Sequence, residues 1–131
     1  MTDNELIAEF MGYTSVSTEY DTFWNPPGYP PATTDSWKFH NHHLAFGTSW
    51  DWLMPVVCAI EEIEEPHPSN NPEKGMVWPY QVEILSRSTV QIIDNRTDET
   101  IVTVDKDKLM KIQAVYKAVV EFIKWYNQQN L

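Results

Sequence analysis

Three histidines form the densest group of chemistry-bearing side chains in this 131-residue chain: His40, His42 and His43. Alternate residues of an extended backbone share a face, so His40 and His42 can bind one metal ion, with Asp51 or a downstream carboxylate as a further ligand. The H-x-H-H pattern lacks the fixed helical spacing of a zinc protease motif. We therefore expect imidazoles that line a groove or the surface, with His40 and His42 as weak metal candidates and no resident cofactor.

A catalytic interpretation of the same region lacks a nucleophile. One histidine with Asp51 can act as a general acid or base. The nearby hydroxyl of Ser49 lies in no G-x-S-x-G turn and precedes an apolar stripe, which is typical of a helix N-cap. Cys58 is expected to be a small buried hydrophobe inside the helix. The pattern favours a non-enzymatic protein, and the alternative is a small metal-dependent hydrolase that uses His40, His42 and Asp51.

Tryptophan is the residue type that best indicates a binding function. The chain has six tryptophans, and most of them lie in its first half. An indole combines a large apolar area with one hydrogen-bond donor, so indoles recur in ligand grooves and at interface centres. We therefore expect a binding face that draws on these residues: Trp24, Tyr29, Trp37, His40, His42, Trp50, Asp51 and Trp52.

The motif Ser49-Trp50-Asp51-Trp52 opens an amphipathic helix. Trp50 and Trp52 lie about 200° apart on a helix, so only one of them can follow the core stripe. We expect Trp50 to join Leu53 in the core. Trp52 should then face the preceding segment of the chain or a partner.

The charge balance limits the classes of partner. The chain has 19 acidic and 9 basic residues and a net charge of −10. Such a field repels phosphates, which argues against direct binding of DNA or RNA. A single cysteine excludes an internal disulfide, and no apolar run approaches the ~20 residues that a membrane span needs. We expect a cytoplasmic protein that binds no membrane.

The first half of the chain predicts two helices around an irregular segment. Asp3 or Asn4 can cap a short helix that Gly12 ends. Residues 13–48 show no regular period and contain a proline cluster, so we expect a long irregular segment, aromatic and proline-rich, that packs on the domain or lines a groove. A second helix should run from Ser49 to about Glu65, with a mild kink at Pro55 or a later start near Trp52.

The second half predicts a small sheet and a covering helix. Three short runs read as an antiparallel meander: Tyr80–Ser86, Thr89–Asp94 and Thr100–Val104. A final helix, capped by Asp105 or Asp107, carries an apolar stripe that should cover one face of the sheet. The fold class is therefore α+β, in the order α-α-β-β-β-α and similar to an α/β/α sandwich, in a single domain over residues 1–131.

Four segments carry a resemblance to a known family: Glu9–Gly12, Trp24–Pro26, Ser49–Val57 with Ile60 and Glu61, and Ala114–Asn127. They resemble the phage ABA sandwich domain family, which comprises small uncharacterised proteins of phages and prophages. The resemblance implies helices that flank a small sheet and an accessory phage function, in the cytoplasm of the host cell. It implies no catalytic residue.

The expected function is non-enzymatic binding of a partner through the aromatic face. The partner is a protein or a second copy of the chain, and a small-molecule ligand is a further option; the acidic surface favours a basic protein. The phage resemblance suggests an alternative, a counter-defence protein that sequesters a nucleotide signal or imitates nucleic acid. The hydrolase described above remains the other alternative.

Overall fold

The computed structural model describes residues 1–17, 19, 21–27, 39–40, 43–69, 71–85, 89–105 and 109–130. Its helices are α1 (Asp3–Phe10), α2 (Trp50–Glu61) and α3 (Lys111–Gln129). Its strands are β1 (Thr14–Ser17), β2 (Thr22–Asn25), β3 (Phe39–His40), β4 (Glu65–Pro66), β5 (Met76–Val77), β6 (Tyr80–Ile84), β7 (Thr89–Asp94) and β8 (Glu99–Asp105). The fold is α+β, as the sequence predicts.

The predicted meander is present as the antiparallel sheet β6-β7-β8. Along the central strand β7 the side chains alternate, and Val90 and Ile92 are fully buried. Helix α3 packs against β7 and β8, so it covers this apolar face, as predicted. A bulge after Ile92 shifts the register of the edge strand β8. The period of two along these strands was therefore a reliable signal.

Helix α3 begins later than predicted. The N-cap is Met110. The backbone N–H of Met110 donates a hydrogen bond to the side-chain oxygen of Gln113 at 2.9 Å. Asp105 instead ends strand β8, and Asp107 lies outside the described residues. The predicted stripe does reach the core, because Val119 and Ile123 are fully buried. These two residues hold the helix against the sheet.

Helix α1 is short, and its first turn is capped by a reciprocal pair of hydrogen bonds. Thr2, rather than the predicted Asp3 or Asn4, is the N-cap: its hydroxyl accepts from the N–H of Glu5, whose carboxylate accepts from the N–H of Thr2. The chain leaves the helix at Gly12, where φ is +84°, a conformation that favours glycine. The prediction of Gly12 as the stop is confirmed.

The expectation that residues 13–48 are irregular is wrong for part of the segment. Strands β1, β2 and β3 form a three-stranded antiparallel sheet in which β2 is central. Further along the segment, Leu44 and Phe46 enter the core with 3% and 1% exposure. The pairing of β3 with β2 is long-range, and a local period cannot reveal such pairing.

Helix α2 starts at Trp50, with Ser49 at the N-cap position, and ends at Glu61 instead of Glu65. Within the described residues, the side chain of Ser49 makes no capping hydrogen bond to the first turn of α2. Pro55 is accommodated inside the helix. Beyond the helix, Glu65 begins β4 and pairs with Val77 of β5, which explains why the helix stops earlier than its carboxylate run suggests.

Among the described residues, an apolar cluster draws side chains from all three helices and from the meander. Within the described ranges, no helix combines the length and apolar character that crossing a bilayer requires.

Candidate functional site

One face of α2 belongs to the core. Leu53, Val56 and Ile60 are fully buried, and the helix contacts both α3 and β6. At the end of the helix the carboxylate of Glu61 accepts a hydrogen bond from the backbone N–H of Val82 at 3.3 Å. This bond occupies a donor on the outer edge of β6. Helix α2 is therefore held in place by its inner face and by its C-terminal end.

Beside this buried face, a row of apolar side chains on α2 is exposed to solvent. Trp50 is 38% exposed, Met54 is 39% exposed, and Cys58 is exposed. These three residues follow each other at intervals of four, so they form one row along the helix, which we call the α2 apolar row. An outward helix face normally carries charged and polar residues. Here the carboxylates stand only at the ends of the row.

Two of the predictions for this helix are wrong. Trp50 was expected in the core with Leu53, but it lies on the outward face, and its ring remains partly in solvent. Cys58 was expected to be buried, and it is exposed. The reason is the same in both cases: apolar residues continue around α2 beyond the buried stripe, so the pattern does not reveal where the buried face ends.

Trp52 lies where the sequence predicts it, against the segment that precedes α2. Its ring centroid is 5.2 Å from that of Phe46, with the planes at 86° in an edge-to-face arrangement. Phe46 also contacts Tyr13, at 6.0 Å between centroids. Trp52 is partly buried in this contact and packs against the core. Its contribution is therefore mainly to hold the N-terminal end of α2 in place.

Trp24 is not available on a surface. It lies in the central strand β2, is 2% exposed, and belongs to the core cluster. Its expected place on a binding face is wrong, because the sheet that the sequence analysis missed turns this indole inward. Of the predicted binding residues on α2, Asp51 is exposed in the first turn beside Trp50. Trp50 and Asp51 are thus neighbours at one end of the α2 apolar row.

The histidine group is only partly described. His40 lies in β3, where its backbone pairs with that of Phe23. His42, Tyr29 and Trp37 lie outside the described residues. Within the described ranges, no group of three or more histidine, cysteine or acidic side chains is arranged to hold a metal ion. The weak metal hypothesis for His40 and His42 therefore stays a prediction.

Asp94, the last residue of β7, and Arg96, in the turn that follows it, form a coupled ion pair. The guanidinium of Arg96 donates to both carboxylate oxygens of Asp94, at 3.0 and 2.8 Å. These hydrogen bonds lower the pKa of Asp94 against the opposing effect of burial. Arg96 also lies 5.8 Å from the ring centroid of Tyr80. Burial raises the pKa of Tyr80, and Glu65 raises it further.

This charged pair adjoins an aromatic cluster that is structural. The Tyr80 ring lies 5.0 Å from Phe122 and 5.9 Å from Trp125, and Phe122 stacks on Tyr126 at 5.7 Å between centroids. Phe122 is fully buried. Edge-to-face and stacked pairs of this kind stabilise packing beyond the area that they bury. The cluster joins α3 to the start of β6.

A concave surface lies in the loop between β4 and β5, a region for which the sequence predicted no function. A cavity of about 480 Å³ is lined by Pro66, His67, Asn71, Pro72, Gly75 and Met76. The Nδ1 atom of His67 accepts from the Ser69 backbone N–H at 3.1 Å and lies 2.8 Å from the Ser69 hydroxyl. Because Nδ1 accepts the backbone N–H, the serine hydroxyl is the donor in the second contact.

This serine and histidine resemble the first half of a nucleophile and base pair. The Nδ1 atom is shared between two donors of the same residue, and among the described side chains none orients the other ring nitrogen. The arrangement therefore caps a turn of the loop. The proline and histidine alternation from Pro66 to Pro68 was the sequence signal for an ordered loop at this place.

Comparison of the chain with family models, with curated proteins and with solved structures finds no match. The resemblance to the phage ABA sandwich domain family therefore remains a prediction from the sequence.

Proposed function

We propose that this chain is a non-enzymatic protein-binding domain and that the α2 apolar row is its contact surface. The observation that carries the proposal is the exposure of Trp50 and Met54 on a helix whose other face is already fully buried. Apolar side chains in water gain about 25 cal/mol for each Å² that a partner covers. A contiguous row of such side chains is the usual composition of an interface centre.

The residue types in the row support binding more than folding. Tryptophan and methionine are enriched in protein interfaces, and tryptophan is a frequent hot spot. Methionine adapts its flexible, polarisable side chain to the surface of a partner. The row also lies on a helix anchored by Leu53 and Ile60, so its side chains are presented on a rigid element. An accessory role in a phage, as the family resemblance implies, is compatible with this function.

Cys58 allows the proposal to be tested with a photo-crosslinker placed in the row itself. It is the single cysteine of the chain and lies in the row. Purified protein labelled at Cys58 with a benzophenone maleimide is added to a lysate of the source cell and irradiated. We expect a defined protein to be cross-linked. The cross-link should disappear in Trp50→Ala and persist in Trp78→Ala, since Trp78 is an exposed indole (59%) outside α2.

The control for label position moves the cysteine to the outward face of α3. The double variant Cys58→Ser, Gln128→Cys carries the same label at an exposed residue of another helix. If the two labels capture the same proteins, or if the Cys58 label captures none, α2 is not a specific contact surface and the proposed function is wrong.

A further inference from the structure

The α2 apolar row has the dimensions of a helix-binding site. Trp50 and Cys58 are eight residues apart, which corresponds to about 12 Å along the axis, or little more than two turns. An amphipathic helix that binds a partner presents anchors at i, i+4 and i+7 over a similar length. Covering this row buries far less than the roughly 800 Å² per partner of a stable interface between folded domains. The row therefore suits a short segment.

Carboxylates stand at both ends of the row. Asp51 follows Trp50, and Glu62 occupies the next position four residues after Cys58; both are exposed. They are about 16 Å apart along the helix. Among the described residues, no lysine or arginine lies within ion-pair distance of either carboxylate. The sequence has no lysine or arginine between Lys38 and Lys74.

These charges argue against a second copy of the chain as the occupant. If two α2 helices pair in antiparallel fashion about a two-fold axis, Asp51 of one copy faces Glu62 of the other. If they pair in parallel, each carboxylate faces its own equivalent. Like charges meet in both arrangements, and each copy brings a net charge of −10. A basic segment meets complementary charge at both ends instead.

From the spacing and the charges we infer that the occupant of the α2 apolar row is a short amphipathic helix of a protein partner, with apolar residues at its centre and lysine or arginine at both ends. This inference rests on the proposed function and names the chemistry of its partner. The basic residues of the partner helix pair with Asp51 and Glu62, about eleven residues apart. The apolar centre covers Trp50, Met54 and Cys58.

Two designed peptides test the inference. Both are about 18 residues long and carry leucines at i, i+4 and i+7, and they differ only in having lysine or glutamate at the flanks. Binding is measured by titration into ¹⁵N-labelled full-length protein and by calorimetry. We expect the lysine peptide to bind at least about tenfold more tightly than the glutamate peptide at low salt, with the ratio falling as salt is added. Amide shifts should concentrate on α2.

Variants assign the contact to the row and to its charges. Trp50→Ala should lower the affinity for the lysine peptide by roughly thirtyfold, as expected for a central hot spot. Trp78→Ala is the matched control and should change the affinity by less than about twofold. The double variant Asp51→Asn, Glu62→Gln should bring the affinities of the two peptides close to each other. Equal affinity of both peptides for the unaltered protein would overturn the inference.

Sedimentation of the unbound protein separates the remaining outcomes. At about 100 µM we expect a monomer, because pairing through α2 brings like charges together. A dimer that Trp50→Ala dissociates would show that the occupant is a second copy; the inference would then fail while α2 remained a contact surface. If neither peptide binds and Cys58 still captures a protein, the inference fails alone. If the cross-link is also absent, both proposals fail.

Discussion

Helices α2 and α3 both bury a full apolar face, but their outward faces differ. On α3 the outward residues are charged or polar, and Lys124 lies 3.8 Å from Glu121 and 3.9 Å from Asp3 of α1. On α2 the outward residues include the α2 apolar row, with Asp51 and Pro55 beside it. The outward face of α3 shows that this fold does not require apolar side chains on the solvent side of a packed helix. The α2 apolar row is the feature of α2 for which the proposed contact surface accounts.

The largest expected effect tests whether the inner faces of the two helices are equivalent. Leu53→Ala in α2 and Ile123→Ala in α3 each remove a fully buried side chain. Each variant should lower the free energy of unfolding by about 2–5 kcal/mol, because a cavity adds to the lost transfer energy. Urea denaturation followed by circular dichroism measures both. A loss below about 1 kcal/mol for Leu53→Ala would mean that α2 is only loosely attached to the core.

The next effect concerns the ion pair between Asp94 and Arg96. Arg96 lies beside Tyr80, which packs against Phe122 of α3. Asp94→Asn removes the charge that pairs with Arg96, and at neutral pH it should cost about 1.5–3 kcal/mol of unfolding free energy. Arg96 lowers the pKa of Asp94 in the folded protein. This stabilisation is therefore complete above the unfolded value near 3.8 and is lost as the pH falls through the folded pKa.

Denaturation at a series of pH values from about 7 to about 2 checks this prediction. The difference in stability between the unaltered protein and Asp94→Asn should narrow as the solution becomes more acidic. Asp51→Asn is the comparison in α2, and at neutral pH it should change stability by less than about 0.5 kcal/mol. A constant difference between Asp94→Asn and the unaltered protein at all pH values would show that the ion pair contributes nothing.

The smallest expected effect on stability is that of a substitution that makes the outward face of α2 similar to that of α3. Met54→Lys places a charge where the side chain is already 39% exposed. The free energy of unfolding should change by about 0.5 kcal/mol or less, while binding of the lysine peptide should be lost. Thermal unfolding and calorimetry measure the two properties. A destabilisation above about 2 kcal/mol would mean that Met54 packs inside the fold and that the difference between the helices is not functional.

Local patterns predicted the second half of the chain well. The alternation in Thr89–Asp94 and the stripe through Val119 and Ile123 have a strong contrast between apolar and polar positions, so each pattern identifies both the element and its buried face. The end of α1 at Gly12 was equally predictable from the sequence, because a glycine with positive φ, here +84°, commonly ends a helix. These features depend on neighbours in sequence.

The candidate site was only partly predictable. The motif that contains Trp50, Asp51 and Trp52 was identified from residue types, and the packing of Trp52 on Phe46 followed the predicted direction. The inward position of Trp24 and the outward position of Trp50 were missed. Trp24 is enclosed because β2 pairs with strands on both sides, and the distant residues of β3 cannot be recognised from local spacing.

By itself the sequence determined the fold class, the meander and the existence of a tryptophan-bearing helix, because periods of 2 and 3.6 residues are local properties of the chain. The sequence also indicated that the stripe through Leu53 is the buried face of α2, but only the tertiary structure decided how far around the helix that face extends. Apolar residues continue from the stripe to Trp50, Met54 and Cys58, so the local pattern does not set its edge. The edge was set by packing against α3 and β6, which left Trp50, Met54 and Cys58 in contact with solvent.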